Sequence, residues 1–122
     1  LAGYLHRVRL PFNVSIPAQV GALAALEDTD FLDKTVALVH EGTEFLQKSL
    51  TEAGIRCFPT EANFFLIDVE EDADNIFEQM LRRGVIVRSM TSYGYPRYIR
   101  VNVGLPQENR RFVAALREVM GR

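Results

Sequence analysis

The chain has 122 residues, 48% of them apolar and 25% charged, a balance that suits one globular domain with a single core. A formal charge of −2 gives no reason to expect nucleic acid or an anionic membrane as a partner. No apolar stretch approaches the roughly 18 residues of a membrane span. The basic residues are uneven, because fourteen in total less Lys34 and Lys48 leaves twelve arginines. A guanidinium stays charged and offers a planar fork to carboxylate or phosphate, so the arginine positions carry more information than the net charge does.

The one cysteine, Cys57, rules out an internal disulfide and sits in the run Ile55-Arg56-Cys57-Phe58. Such a residue reads as a small core side chain rather than a nucleophile. No signal peptide is visible, and the first residue is Leu1, which reads as a cut inside a longer protein.

In chain order, Leu1 to Ser15 reads as a short basic helical turn and an irregular segment, with Pro11 stopping any helix before it. Ser15-Ile16-Pro17 is a helix start, a Ser cap with Pro near the first turn, and predicts an Ala-rich helix over 17–26. Asp28-Thr29-Asp30 then offers a break or a new cap. From Phe31 to Ala53 apolar and small residues recur every three or four positions, predicting one long helix closed by Gly54 in a left-handed conformation. Lys34 and Lys48 fall off its apolar face.

Strands are expected at about 55–58 and 63–69. Asp72 caps a helix bearing Ile76, Phe77, Met80 and Leu81, and Gly84 ends it. Val85 to Arg88 reads as a short strand, and Thr91 to Pro96 as a flexible loop. Tyr98 to Val103 alternates most cleanly, with Ile99, Val101 and Val103 on one face and Tyr98, Arg100 and Asn102 on the other. Pro106 opens a last helix with Phe112, Val113, Leu116, Val119 and Met120 inward. The expected architecture is α+β, an α/β-type single domain over 1–122. A long helix precedes a small three- to four-stranded sheet with helices packed on one face.

The chemistry this order offers is sparse. His6 and His40 lack further ligands at metal-binding spacing, and Glu70-Glu71-Asp72-Asp74 lacks the closing Glu of a calcium loop. No serine stands in a glycine-rich elbow, and the glycines form no phosphate-binding loop. What stands out is Arg100 on the polar face of the last strand, with Arg88 at the end of a neighbouring one. Two such arginines beside a Gly-Tyr-Pro loop suit a planar anion. By alternation alone, the default reading of both is ordinary solvent-facing strand charges.

Five strings, in order along the whole chain, resemble the C-terminal part of histidinol-phosphate aminotransferases, within the large superfamily of pyridoxal-phosphate aminotransferases. They are Arg7-Val8-Arg9-Leu10-Pro11-Phe12-Asn13-Val14-Ser15, Glu61-Ala62-Asn63-Phe64-Phe65-Leu66, Gly84-Val85-Ile86-Val87-Arg88, Tyr98-Ile99-Arg100-Val101-Asn102-Val103-Gly104 and Gln107-Glu108-Asn109. The resemblance implies the small domain that closes over the substrate, with residues 1–16 as the inter-domain segment and a large cofactor-binding domain missing. Arg9 and Asn13 would begin the crossing between the domains.

The resemblance also implies a substrate-binding role for Arg100 on the substrate's acidic group, with Arg88 as a second phosphate ligand and Asn63 as a possible pocket residue. The whole protein would exchange an amino group between histidinol phosphate and 2-oxoglutarate in histidine biosynthesis. It would be a cytoplasmic homodimer using pyridoxal phosphate, with phosphorylated or carboxylate small molecules as substrates and neither nucleic acid nor a metal as partner. Neither Lys34 nor Lys48 fits the Schiff-base lysine, which would precede Leu1, so the fragment alone is expected to be inactive and without catalytic residues. Related aminotransferases, threonine-phosphate decarboxylase and a free-standing small-molecule-binding domain are the alternatives.

Overall fold

A computed structural model describes residues 2–9 and 13–122. The helix stop expected at Pro11 lies outside them. The chain divides into two compact units, residues 1–35 and 36–122.

In the first unit, α1 spans Ala2–Val8 and α2 spans Ile16–Glu27. The Ser15 hydroxyl caps α2 by accepting from the Ala18 amide at 3.4 Å, with Pro17 in the first turn, as the sequence indicates. Asp28 ends α2, and its carboxylate accepts from the Phe31 amide at 3.0 Å, which starts α3 (Thr29–Glu52) at once. Within this unit α2 has apolar residues all round and none buried.

In the second unit, the remainder of α3 buries Gly42, Leu46 and Leu50. Gly42 is needed for close approach: a Cβ there would stand 2.4 Å from Cγ1 of Val103 and 2.9 Å from Nδ2 of Asn109. Gly54, at φ +67, closes the helix as the Ile55 amide bonds back to the Leu50 carbonyl at 2.8 Å. Two strands follow, β1 (Arg56–Cys57) and β2 (Phe64–Asp68). Next comes α4 (Ala73–Arg82), where the Asp72 carboxylate accepts from the amides of Asp74 and Asn75, both at 2.9 Å. Then β3 (Arg88–Ser89), β4 (Tyr98–Asn102) and α5 (Pro106–Val119) complete the chain.

The sheet is antiparallel throughout, in the order β1-β2-β4-β3. Phe65 and Ile67 of β2 and Ile99 and Val101 of β4 join Leu46, Leu50, Ile76, Met80, Phe112, Val113 and Leu116 in one buried cluster. All three helices of this unit therefore pack on one face, as the alternation of β4 requires. Cys57 packs partly buried against the same cluster.

Three expectations need correction. The strand expected over 85–88 pairs only at Arg88 and Ser89. The Val85 amide is instead taken by the Met80 carbonyl at 3.0 Å, closing α4, so the chain is still turning there and Ile86 stays 78% exposed. The loop over 91–96 contains a 3-10 turn, Thr91–Tyr93, tied by the Tyr93 amide to Met90 and the Gly94 amide to Thr91, both at 2.9 Å. Leu81, expected inward on α4, is 46% exposed.

Candidate anion-binding face

The register decides which side chains meet. Phe64 lies opposite Asn102, Leu66 opposite Arg100 and Asp68 opposite Tyr98, while Arg88 lies opposite Arg100 across the β3–β4 ladder. By strand alternation these residues share the face away from the helices. Arg88 and Arg100, expected from the sequence on neighbouring strands, thus stand side by side on one face. Like charges directly opposite each other destabilise a sheet, so the arrangement has a cost that needs a reason.

That cost is not relieved by carboxylates. Among the described residues the ion pairs are Arg82–Glu78, Arg83–Glu118, Arg97–Asp68 and Arg122–Glu70; neither Arg88 nor Arg100 takes part in one. The acid on the same face, Asp68, is 8% exposed and already accepts from Arg97 at 3.2 Å and from the Glu70 amide at 2.9 Å. Aromatic rings stand in for carboxylates. The Arg88 guanidinium donates to the Tyr93 hydroxyl at 2.8 Å and lies 5.3 Å from that ring's centre. The Arg100 guanidinium lies 4.9 Å over the Phe64 ring, and its Nε is buried with no hydrogen-bond partner. Two cations braced by rings, with donors still free, are suited to a planar or tetrahedral anion.

Tyr93 and Phe64 were not legible as site residues. The Phe64 contact depends on strand register, and the Tyr93 contact depends on how the 3-10 turn points its ring. Asn63 sits at the end of the β2–β4 pair, where its carbonyl accepts from the Val103 amide at 2.9 Å. Its side chain is exposed, and in the alternation it matches Phe65 rather than Phe64. Arg9 and Asn13 belong to the first unit. His40 borders a cleft of about 160 Å³ with Glu44, Thr60 and Glu61, and no metal-holding cluster occurs among the described residues. Burial pushes the Cys57 thiol up from its ordinary value, which disfavours the reactive thiolate.

The loop that leaves β4 is held firmly. The Asn109 side chain is buried and brackets Gly104, accepting from its amide at 2.9 Å and donating to its carbonyl at 3.0 Å. The Glu108 carboxylate reaches back to the Leu105 amide at 2.7 Å, fixing the first turn of α5.

The family model for aminotransferase class I and II matches residues 1–116. A histidinol-phosphate aminotransferase of Desulfotalea psychrophila is 51% identical over 116 residues, which is 95% of this chain and 31% of that protein. Its counterpart in Nitratidesulfovibrio vulgaris (strain DP4) is 48% identical over 120 residues, 98% of this chain and 32% of the relative. The chain thus spans about a third of the length of the curated relatives it matches. Two solved structures share the fold. The histidinol-phosphate aminotransferase of Clostridium acetobutylicum has a TM-score of 0.88 at 20% identity, over 98% of this chain and 37% of that one. That of Sinorhizobium meliloti, solved with pyridoxal-5'-phosphate, has a TM-score of 0.85 at 24% identity, over 98% of this chain and 34% of that one.

Proposed function

Because this chain belongs to the class I and II aminotransferases, we propose that it is the substrate-recognition and closure domain of a histidinol-phosphate aminotransferase, with Arg100 and Arg88 gripping the substrate phosphate. The observation that carries the reading is the cross-strand pairing of two guanidiniums that have no carboxylate partner among the described residues. A dianionic phosphate would relieve their mutual repulsion and use their free donors, and each bond would be charge-assisted. Asn63, at the end of the same strand pair, is the further pocket candidate.

Pyridoxal phosphate is the cofactor this reading implies for the whole protein, where it would carry the electronic part of amino-group transfer. The lysines of this chain do not fit the Schiff-base role. Lys34 and Lys48 are both exposed on α3, and neither belongs to the sheet that carries Arg88 and Arg100. No residue of this chain is therefore assigned to hold the cofactor, and the lysine is proposed to lie in the remainder of the protein. The reading also takes in a single small domain with residues 1–16 as its inter-domain segment, a large partner domain, a homodimer and a cytoplasmic setting. Among the described residues no helix is long and apolar enough to cross a membrane.

The test is Arg100→Ala in the full-length protein. The variant is expected to weaken use of histidinol phosphate far more than use of glutamate. Equal, negligible effects on both would return Arg100 to a solvated strand charge. The 122-residue chain mixed with pyridoxal phosphate is expected to show no imine absorbance band, and a stable band would overturn the lysine assignment.

A further inference from the structure

The paired arginines raise a question that the phosphate-gripping role leaves open: what holds two like charges in place before any anion arrives. Among the described residues Arg83 and Arg97 are each held by a carboxylate, in Arg83–Glu118 at 2.8 Å and Arg97–Asp68 at 3.2 Å, whereas Arg56, like Arg88 and Arg100, lies over a ring, that of Phe58 at 5.0 Å. A carboxylate beside Arg88 or Arg100 would orient it equally well, but it would occupy the donors and cancel the charge that an anionic ligand needs. An aromatic face behaves differently. Its quadrupole attracts the cation and fixes the guanidinium plane while leaving the net charge intact. The Tyr93 hydroxyl adds a neutral acceptor for one Arg88 N–H, leaving the rest of the fork available.

We propose that Tyr93 and Phe64 are positioning residues, which hold Arg88 and Arg100 as an uncompensated double cation and so bias the site toward a dianionic phosphate over a carboxylate. The inference rests on the phosphate-gripping role argued above. Phe64 is suited to its part because it lies opposite Asn102, diagonal to Arg100, so its ring reaches under the guanidinium from the neighbouring strand. Tyr93 is suited because the 3-10 turn begins just beyond β3, within reach of the Arg88 head. With its Nε buried and unbonded, Arg100 is not anchored by a hydrogen bond at that atom, and the Phe64 ring is the contact that orients it.

The experiment uses the full-length holoenzyme with four single variants: Tyr93→Phe, Phe64→Leu, Arg88→Ala and Arg100→Ala. KM and kcat are measured for histidinol phosphate and for glutamate, with inorganic phosphate as a competing anion that is not turned over. Losing a hydrogen bond to a charged group is worth about tenfold in affinity. Tyr93→Phe is thus expected to raise KM for histidinol phosphate about tenfold and to weaken phosphate inhibition similarly. Its kcat and its thermal melting point are expected to hold, and its KM for glutamate to change far less. Phe64→Leu keeps apolar bulk but loses the ring, and is expected to give the same pattern at about threefold.

Should the arginine variants raise KM for histidinol phosphate while Tyr93→Phe and Phe64→Leu do not, the bracing role is wrong and the phosphate grip survives. If the aromatic variants raise KM for both substrates alike or lower the melting point, their role is merely structural. Arginine variants without effect on either substrate would remove the phosphate grip itself, and the bracing role with it.

Discussion

Asn109 and Gly104 hold each other by two opposed hydrogen bonds, the Gly104 amide donating to Oδ1 at 2.9 Å and Nδ2 donating to the Gly104 carbonyl at 3.0 Å. The clasp sits where β4, bearing Arg100, turns into α5. Asn109 is 4% exposed and Gly104 half-buried, so removing the amide leaves two Gly104 backbone groups without a protein partner in a partly buried place. Asn109→Leu, similar in size, is expected to cost about 2 kcal/mol in urea unfolding. A loss under about 0.5 kcal/mol would mean that water replaces the clasp.

Gly42 lies mid-helix, where Ala would ordinarily stabilise by about 1 kcal/mol. Here the added Cβ would overlap Val103 Cγ1 at 2.4 Å, and a β-branched side chain has little freedom at χ1 to move away. Gly42→Ala is therefore expected to destabilise by about 1–3 kcal/mol. The double variant Gly42→Ala/Val103→Ala should regain part of that loss. A melting point raised by the single substitution would contradict the close packing of α3 against this loop.

Glu118 gives a pH dependence with a definite sign. The hydrogen bond from Arg83, and then its charge, hold the Glu118 carboxyl below its ordinary value. A carboxyl depressed in the folded state contributes stability that is present above its unfolded pKa and lost as pH falls through the folded one. Wild type and Glu118→Gln, compared by urea unfolding, should therefore differ at neutral pH and converge on acidification below the ordinary glutamate range. Arg83 moves the opposite way, raised by the same bond, and its alkaline counterpart lies above any accessible pH. Glu118 is exposed and Arg83 partly so, so the gap is small and shrinks with salt. A gap that widens as pH falls would refute the assignment.

Cys57 should react slowly. Its thiol is pushed up by burial against the core, and the thiolate is the reactive form. A thiol-disulfide reagent at mildly alkaline pH is expected to label it well below the rate of a free thiol, with labelling accelerating in urea. Rapid labelling of the folded chain would show that the β1 edge opens readily.

Residues whose meaning is local were legible in the sequence. Ser15, Asp72 and Pro106 mark helix starts because capping depends on a few neighbours, and the alternation of Tyr98 to Asn102 names its own core face. Val85 to Val87 misled, since three β-favouring residues read as a strand while the helix closure at Met80 claimed the first amide. Arg100 and Arg88 could be singled out as residues. Their direct opposition could not, because register is a property of two strands at once. The Phe64 contact with Arg100 was hidden for the same reason, and the Tyr93 contact with Arg88 because it depends on the 3-10 turn.

Both borders of the sheet are two residues long, β1 at Arg56–Cys57 and β3 at Arg88–Ser89, and each carries an arginine. A border so short, with a cation on it, is a poor template for a second chain to extend. Arg88, proposed above to grip an anion on the face of the sheet, thus also makes its rim a poor place for a further strand to add.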